Sequence, residues 1–197
     1  MTGYHPGLQT FHLPLLEGTV TLREGLRRLM EVGNAQSEVP LIVRLMENPA
    51  FDMPPLSMFR GRVNLEHHDC IHLLLGRGTT LIDEAFTIGF TMGSTKRMST
   101  SATDLFAAVA EKLYPKAYRF PPGAVRVFRD AVHLAAISNC RRLDAVDFST
   151  MMDMSLREIR QRLGVEEELL IAYYRLEAQR NPDVAASRRL LPPESAA

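Results

Sequence analysis

Helix starts and stops recur along almost the whole chain, and alternating strand patterns are scarce. Thr21-Leu22-Arg23-Glu24 has the form of a capping box, with Leu22, Leu26, Leu29 and Met30 at helical spacing behind it and Gly33 as the stop. Residues 37–48 read as a second helix, carrying Leu41, Ile42, Leu45 and Met46 and closed by Pro49. Residues 48–62, with Pro49, Pro54 and Pro55, read as a loop. A third helix is predicted over 64–75, stopped at Gly76-Arg77-Gly78, and Thr80 caps a fourth that runs to about Met92. Ser101 opens a helix to Tyr114, ahead of Pro115, and Pro121 and Pro122 precede the apolar-periodic segment 124–138. Ser155-Leu156-Arg157-Glu158 is another capping box, its helix ending at Leu163-Gly164. Residues 166–180 form the last helix, stopped by Asn181-Pro182. The expectation is an all-α, single-domain bundle of seven or eight helices over residues 1–182, with a flexible Pro- and Ala-rich tail over 183–197.

Charge and cysteine usage exclude several function classes. The 197 residues carry 23 Lys+Arg against 23 Asp+Glu, so no basic excess marks a nucleic-acid binder. The longest apolar runs, Leu41-Ile42-Val43 and Leu73-Leu74-Leu75, are far too short for a membrane span, and the first 20 residues hold no Lys or Arg and no export-type stretch. Cys70 and Cys140 make neither a disulfide framework nor a metal-type pair. These features place the chain in the cytoplasm. No phosphate-cradling loop or nucleophile arrangement stands out; Gly76-Arg77-Gly78 is a helix stop, and Gly89 and Gly93 are spaced to let a neighbouring helix approach.

One segment is chemically dense. Glu66-His67-His68-Asp69-Cys70-Ile71-His72 holds three of the six histidines. On a helix, His68, Asp69 and His72 span roughly 100° of arc, so two imidazoles and a carboxylate can converge on one ion. His72 lies four residues before Gly76, and Glu84 lies four after the cap Thr80. If the two helices fold back about that turn, His72 and Glu84 stand at the same height; helix rotation decides whether they face each other. Nitrogen with carboxylate oxygen suits zinc or iron as the divalent ion. The expected ligands are His68, Asp69, His72 and Glu84. His67 points about 100° away and is expected outside the ligand set.

The spacing His68-Asp69-x-x-His72, eleven residues and then Glu84 resembles the signature of the coenzyme Q biosynthesis Coq-four family. Leu156-Arg157-Glu158-Ile159-Arg160-Gln161-Arg162-Leu163-Gly164-Val165 is similar, less specifically, to that family's closing helix. The resemblance implies an all-helical fold, a divalent metal held by this His-Asp-x-x-His…Glu set, and association with membranes and quinone-pathway enzymes. It also implies action on the ring carboxyl of a polyprenylated benzoate, by decarboxylation and hydroxylation. A prenylated quinone precursor or another isoprenoid lipid is then the expected partner, at a peripheral membrane location. Residues 89–118 do not match the family pattern.

Around such a site, Arg62, Arg77, Lys96 and Arg97 are candidates to receive an anionic head group. Met46, Met53, Met58, Met92 and Met98 flank it, and Met151, Met152 and Met154 cluster elsewhere, as core filler or an apolar groove. Three readings compete. A di-iron bundle would pair Asp69 and His72 with Asp130 and His133, and add Glu47 and Glu84 or Glu111. A His-Asp phosphohydrolase would need His12 and Asp144 or Asp147. A lipid-binding scaffold would use its metal structurally, with or without self-association.

Overall fold

The computed structural model describes residues 11–34, 65–112 and 119–191. Eight α-helices occur among them: α1 (Leu22–Asn34), α2 (Leu65–Leu75), α3 (Leu81–Ser94), α4 (Thr100–Lys112), α5 (Pro122–Ile137), α6 (Leu156–Leu163), α7 (Glu167–Arg180) and α8 (Ala185–Arg188). No strand forms among the described residues, and the all-α expectation holds. The helix and loop expected over 37–62 lie outside the described residues.

Local chemistry sets the boundaries. Thr80 caps α3 with a full capping box to Asp83, and Ser155 caps α6 with one to Glu158. At α1 only half of the expected box forms: Thr21 Oγ1 accepts from Glu24 N–H, while the Glu24 carboxylate turns to Arg27 and Arg28. The α4 helix starts one residue earlier than expected, because Ser99, not Ser101, offers its hydroxyl to a backbone N–H, that of Ala102. Pro122 occupies the first turn of α5, where its missing N–H costs nothing.

The α3 helix is the axis of the molecule. Ile82 to Thr87 and Gly89 to Ser94 are all buried on it. On its α5 side Gly89 and Gly93 act as the spacing implied: a Cβ would stand 2.5 Å from Phe128 O at Gly89 and 2.3 Å from Val132 O at Gly93. The two backbones therefore meet at a distance no larger residue allows. Phe106 of α4 stacks on Phe128 with ring centroids 4.9 Å apart, extending the core outward. On the other side α3 packs against α2 and α7, where Phe86 meets both Tyr173 and Tyr174. Met92 and Met151 are buried in the same core, with Met98, Met152 and Met154 packed against it. These five methionines are thus core filler, whereas Met30 is exposed on α1; Met46, Met53 and Met58 lie outside the described residues.

One expectation fails at the C-terminus. The segment from Asp183 to Leu191, read as the start of a flexible tail, is folded. It forms α8, buries Ala186, Ser187 and Leu190, and sends Ser187 and Arg189 into the α2–α3 region. Pro182 ends α7, but the chain then turns back onto apolar surface and gains enough burial to stay ordered. Residues 192–197 lie outside the described residues.

Candidate metal centre

The turn joining α2 to α3 is closed on all sides. Gly76 sits at φ +64°, with Arg77 N–H donating to His72 O at 2.9 Å and Gly76 N–H to Leu73 O at 3.2 Å. This is a Schellman ending that needs glycine; a Cβ at Gly76 would also stand 2.6 Å from the Leu15 backbone. The remaining free carbonyls of the last α2 turn are taken from α6 and α7. Arg160, fully buried, donates to Leu74 O at 2.7 Å, and the Tyr174 hydroxyl donates to Leu75 O at 2.5 Å. Both helices are held rigidly at the turn, so the side chains one turn beyond it stand in fixed positions.

Those side chains are His68, His72 and Glu84. The two Nε2 atoms are 2.8 Å apart, His68 Nε2 is 3.0 Å from Glu84 Oε2, and His72 Nε2 is 3.3 Å from Glu84 Oε1. All three residues are buried, at 3%, 1% and 7% exposure. Helix rotation, which the spacing left undetermined, therefore turns Glu84 toward both imidazoles. Thr87, one turn further along α3, lies 3.3 Å from His72 Nδ1 through its hydroxyl. With Nδ1–H donating to that oxygen, His72 Nε2 aims at the centre of the group, the orienting contact usual around ligating histidines.

These contacts exceed what protons alone can satisfy. A carboxylate only accepts, and a neutral imidazole has one lone pair and one N–H. A proton on the line between the two nitrogens serves one of the three contacts and leaves the others weakly bonded. Burial pulls the His72 imidazole down, but the Glu84 charge outweighs it and leaves the pKa raised. Burial lowers His68, and the neighbouring His72 reinforces that shift. Burial pushes Glu84 upward, but the two imidazoles overcome it and hold the carboxyl well below the usual range. The group is thus one carboxylate and two imidazoles whose donor atoms converge in one buried space. Tetrahedral bonds of about 2.0–2.1 Å imply donor separations of about 3.3 Å, close to those present. The three residues can hold a metal ion.

Asp69, expected as a fourth ligand, is not among the converging donors. It leaves the helix about 60° beyond His72, and its short side chain does not bring it into the group. It is half-buried, and burial pushes its carboxyl up to about 6, with His72 pulling down and Glu84 pushing further up. His67 donates from Nε2 to Leu143 O at 2.7 Å and meets Phe148 edge-on, which ties α2 to the 3-10 turns after α5.

The rival constellations do not assemble among the described residues. Asp130 accepts from Tyr173 and Arg180, and His133 is exposed on α5 rather than part of its apolar face, so this pair does not mirror Asp69 and His72. Glu47 lies outside the described residues. Asp144 pairs with Arg142, Asp147 caps a 3-10 turn through Ser149 N–H, and neither joins a metal-type group. His12 lies instead near Gly76, Asp83 and Arg189, its pKa lowered to about 4 by burial first and by Arg189 second.

Two of the proposed anion-binding cations are engaged elsewhere. Arg77 is fully buried, bonded to Glu177 at 3.0 and 2.5 Å, with its guanidinium 3.8 and 4.3 Å from the ring centres of Phe86 and Tyr174. Lys96, at φ +54°, donates to Ser138 O at the end of α5. Arg97 is exposed, and Arg62 lies outside the described residues. Thr87, Arg160 and Tyr174 were not legible as parts of this region. Thr87 alone left a signal, a polar residue three positions after Glu84 on an otherwise apolar helix face.

Neither a family model, nor a curated protein, nor a solved structure matches the chain. No described helix is long and apolar enough to cross a membrane.

Proposed function

We propose that this protein binds one divalent metal ion through His68, His72 and Glu84 and works through it as a member of the Coq-four type. The observation that carries the metal reading is the convergence of two buried imidazole nitrogens and a buried carboxylate within 3.3 Å of one another. The type is supported only by the His-Asp-x-x-His…Glu spacing. Zinc and ferrous iron both suit the donor set.

When bound, the ion supplies Lewis acidity to an aromatic acid, stabilising charge on its carboxylate or ring hydroxyl. The chain's own part is to hold the donors. Thr87 keeps the His72 ring oriented, and the Schellman ending keeps His72 level with Glu84. The substrate proposed is a prenylated hydroxybenzoate at a peripheral membrane location, among quinone-pathway enzymes. Its ring carboxyl leaves as carbon dioxide, and its replacement by hydroxyl is a two-electron oxidation that takes dioxygen or another external oxidant as co-reactant. Equilibrium dialysis against zinc and against ferrous iron tests the metal reading: wild-type protein takes up one ion, and the H68A/H72A double variant takes up none with its helix content kept. Release of labelled carbon dioxide from a prenylated hydroxybenzoate carboxyl, by metal-loaded but not chelated protein, tests the activity. Binding without release overturns it.

One observation favours a second reading. All three donors are at most 7% exposed, which suits a structural ion in a non-catalytic lipid-binding scaffold. That reading expects retained metal, retained lipid binding and no turnover.

A further inference from the structure

The metal group is not the only charge cluster buried on the α2–α3 hairpin. Its turn carries Arg77 and Asp83, both fully buried, and both are answered from the C-terminal segment. Glu177 of α7 takes Arg77 with both oxygens, and Ser187 of α8 donates to the same carboxylate at 2.8 Å. Arg189, just after α8, donates to Asp83 Oδ2 at 2.8 Å. That oxygen also accepts from the Thr80 hydroxyl at 2.7 Å and from Thr80 N–H at 3.2 Å, so Arg189 is bonded into the N-cap of α3. Gly78 is packed against this contact; a Cβ there would stand 2.1 Å from Arg189 Nη2. Asp83 directly precedes Glu84.

We propose that Arg189 and Ser187 are positioning residues for the metal ligands: α8 and the residue after it clasp the hairpin and set the rotation of α3 that aims Glu84 at the two imidazoles. This rests on the metal reading above. None of the clasp atoms touches the ligand atoms, so the effect passes through the first turn of α3. Rotating that turn by about 10–20° moves a carboxylate several ångströms from the axis by about an ångström, enough to spoil a metal geometry. Coupling through a shared element is reciprocal. A clasp that tightens the site is itself tightened when the site is filled.

The test compares wild type, R189A, R189K and S187A as full-length chains. Zinc affinity is read by chelator competition, site geometry by the visible absorption of bound cobalt(II), and clasp docking by hydrogen exchange at residues 185–190. Expected results are a roughly tenfold loss of zinc affinity and a shifted cobalt spectrum in R189A, smaller changes in S187A, and partial rescue in R189K. In wild type, zinc should slow exchange at 185–190. A loss of global stability alone would leave the cobalt spectrum unchanged. Zinc affinity and cobalt spectrum in R189A equal to wild type, with exchange at 185–190 indifferent to zinc, overturn the clasp and leave the metal site standing. Wild-type protein that binds no ion removes the metal site and the clasp together.

Discussion

Two buried charge centres lie on one helical hairpin, one at its turn and one between its two helices, and they are built on opposite principles. At Arg77 a fixed cation meets two-pronged acceptance from Glu177, with the rings of Phe86 and Tyr174 against the guanidinium. The fixed cation is matched by a fixed anion, so the charge is answered within the protein even though Arg77 Nε makes no hydrogen bond among the described residues. At His68, His72 and Glu84 the groups are acceptors or can become so, and no Arg or Lys among the described residues bonds them. Evolution of a buried group with no fixed cation makes sense if the cation arrives from solution. The first centre is a structural rivet; the second has the donor set that could hold an ion, and we read it as a receptor. Both have similar burial, so burial does not tell them apart; the donor–acceptor balance does.

That contrast can be broken most forcefully by deleting one anion from each. Glu177→Ala strands the Arg77 guanidinium in the core and should cost about 3–5 kcal/mol, a large share of the stability of a domain. Glu84→Ala removes an anion whose partners can become neutral by losing a proton, and should cost the metal-free protein well under half as much. Urea unfolding of both variants after chelation measures the difference. Equal losses would mean that the two centres are both rivets.

Acidity sharpens the comparison next. The raised His72 pKa makes its pairing with Glu84 fully stabilising below its unfolded value near 6.5, and that stabilisation fades as pH rises through the folded value. The lowered His68 pKa acts in reverse, costing stability as pH falls below 6.5. For these two groups, metal-free protein should therefore be most stable near pH 6.5, with the melting temperature falling on either side of it. Zinc competes with protons for the imidazoles, so its affinity should fall as the pH drops. Isothermal titration at several pH values measures this; an affinity that does not change with pH contradicts ligation by the imidazoles.

The smallest effect concerns Asp69. Its carboxyl, pushed up to about 6 by burial, penalises the folded state fully above that pH and not at all below its unfolded value near 3.8. Asp69→Asn should stabilise metal-free protein by about 1–2 kcal/mol at pH 7, with the gain vanishing in acid. If the same variant also weakens zinc binding tenfold or more, Asp69 takes part in the loaded site despite standing outside the donor group.

How much of this was legible in the sequence follows from what each feature depends on. Caps and stops are local, so Thr80, Ser155, Gly76 and Gly164 marked their helix ends directly. The height match of His72 and Glu84 followed from residue counts around a turn, and it holds. The rotation that makes them face each other did not, since it is set by Gly89 and Gly93 against α5 and by contacts of Asp83, which are tertiary. Asp69 was misjudged for the same reason: its place on the helix arc was right, but reach is a property of the side chain and its neighbours. The clasp was hidden because Ser187 and Arg189 sit in a Pro- and Ala-rich stretch, and nothing local distinguishes an arginine bonded to Asp83 from a solvated one. Nothing local marks Arg77, a candidate for an anionic head group, or Arg160 as fully buried either.

The central claim is that the receptor centre binds an ion. Elemental mass spectrometry of the purified protein, beside the Glu84→Ala variant prepared identically, tests it most directly. The account predicts about one divalent ion per wild-type chain and almost none in the variant. Wild-type protein that carries no ion, and takes none up from a zinc- or iron-supplemented buffer, would contradict it.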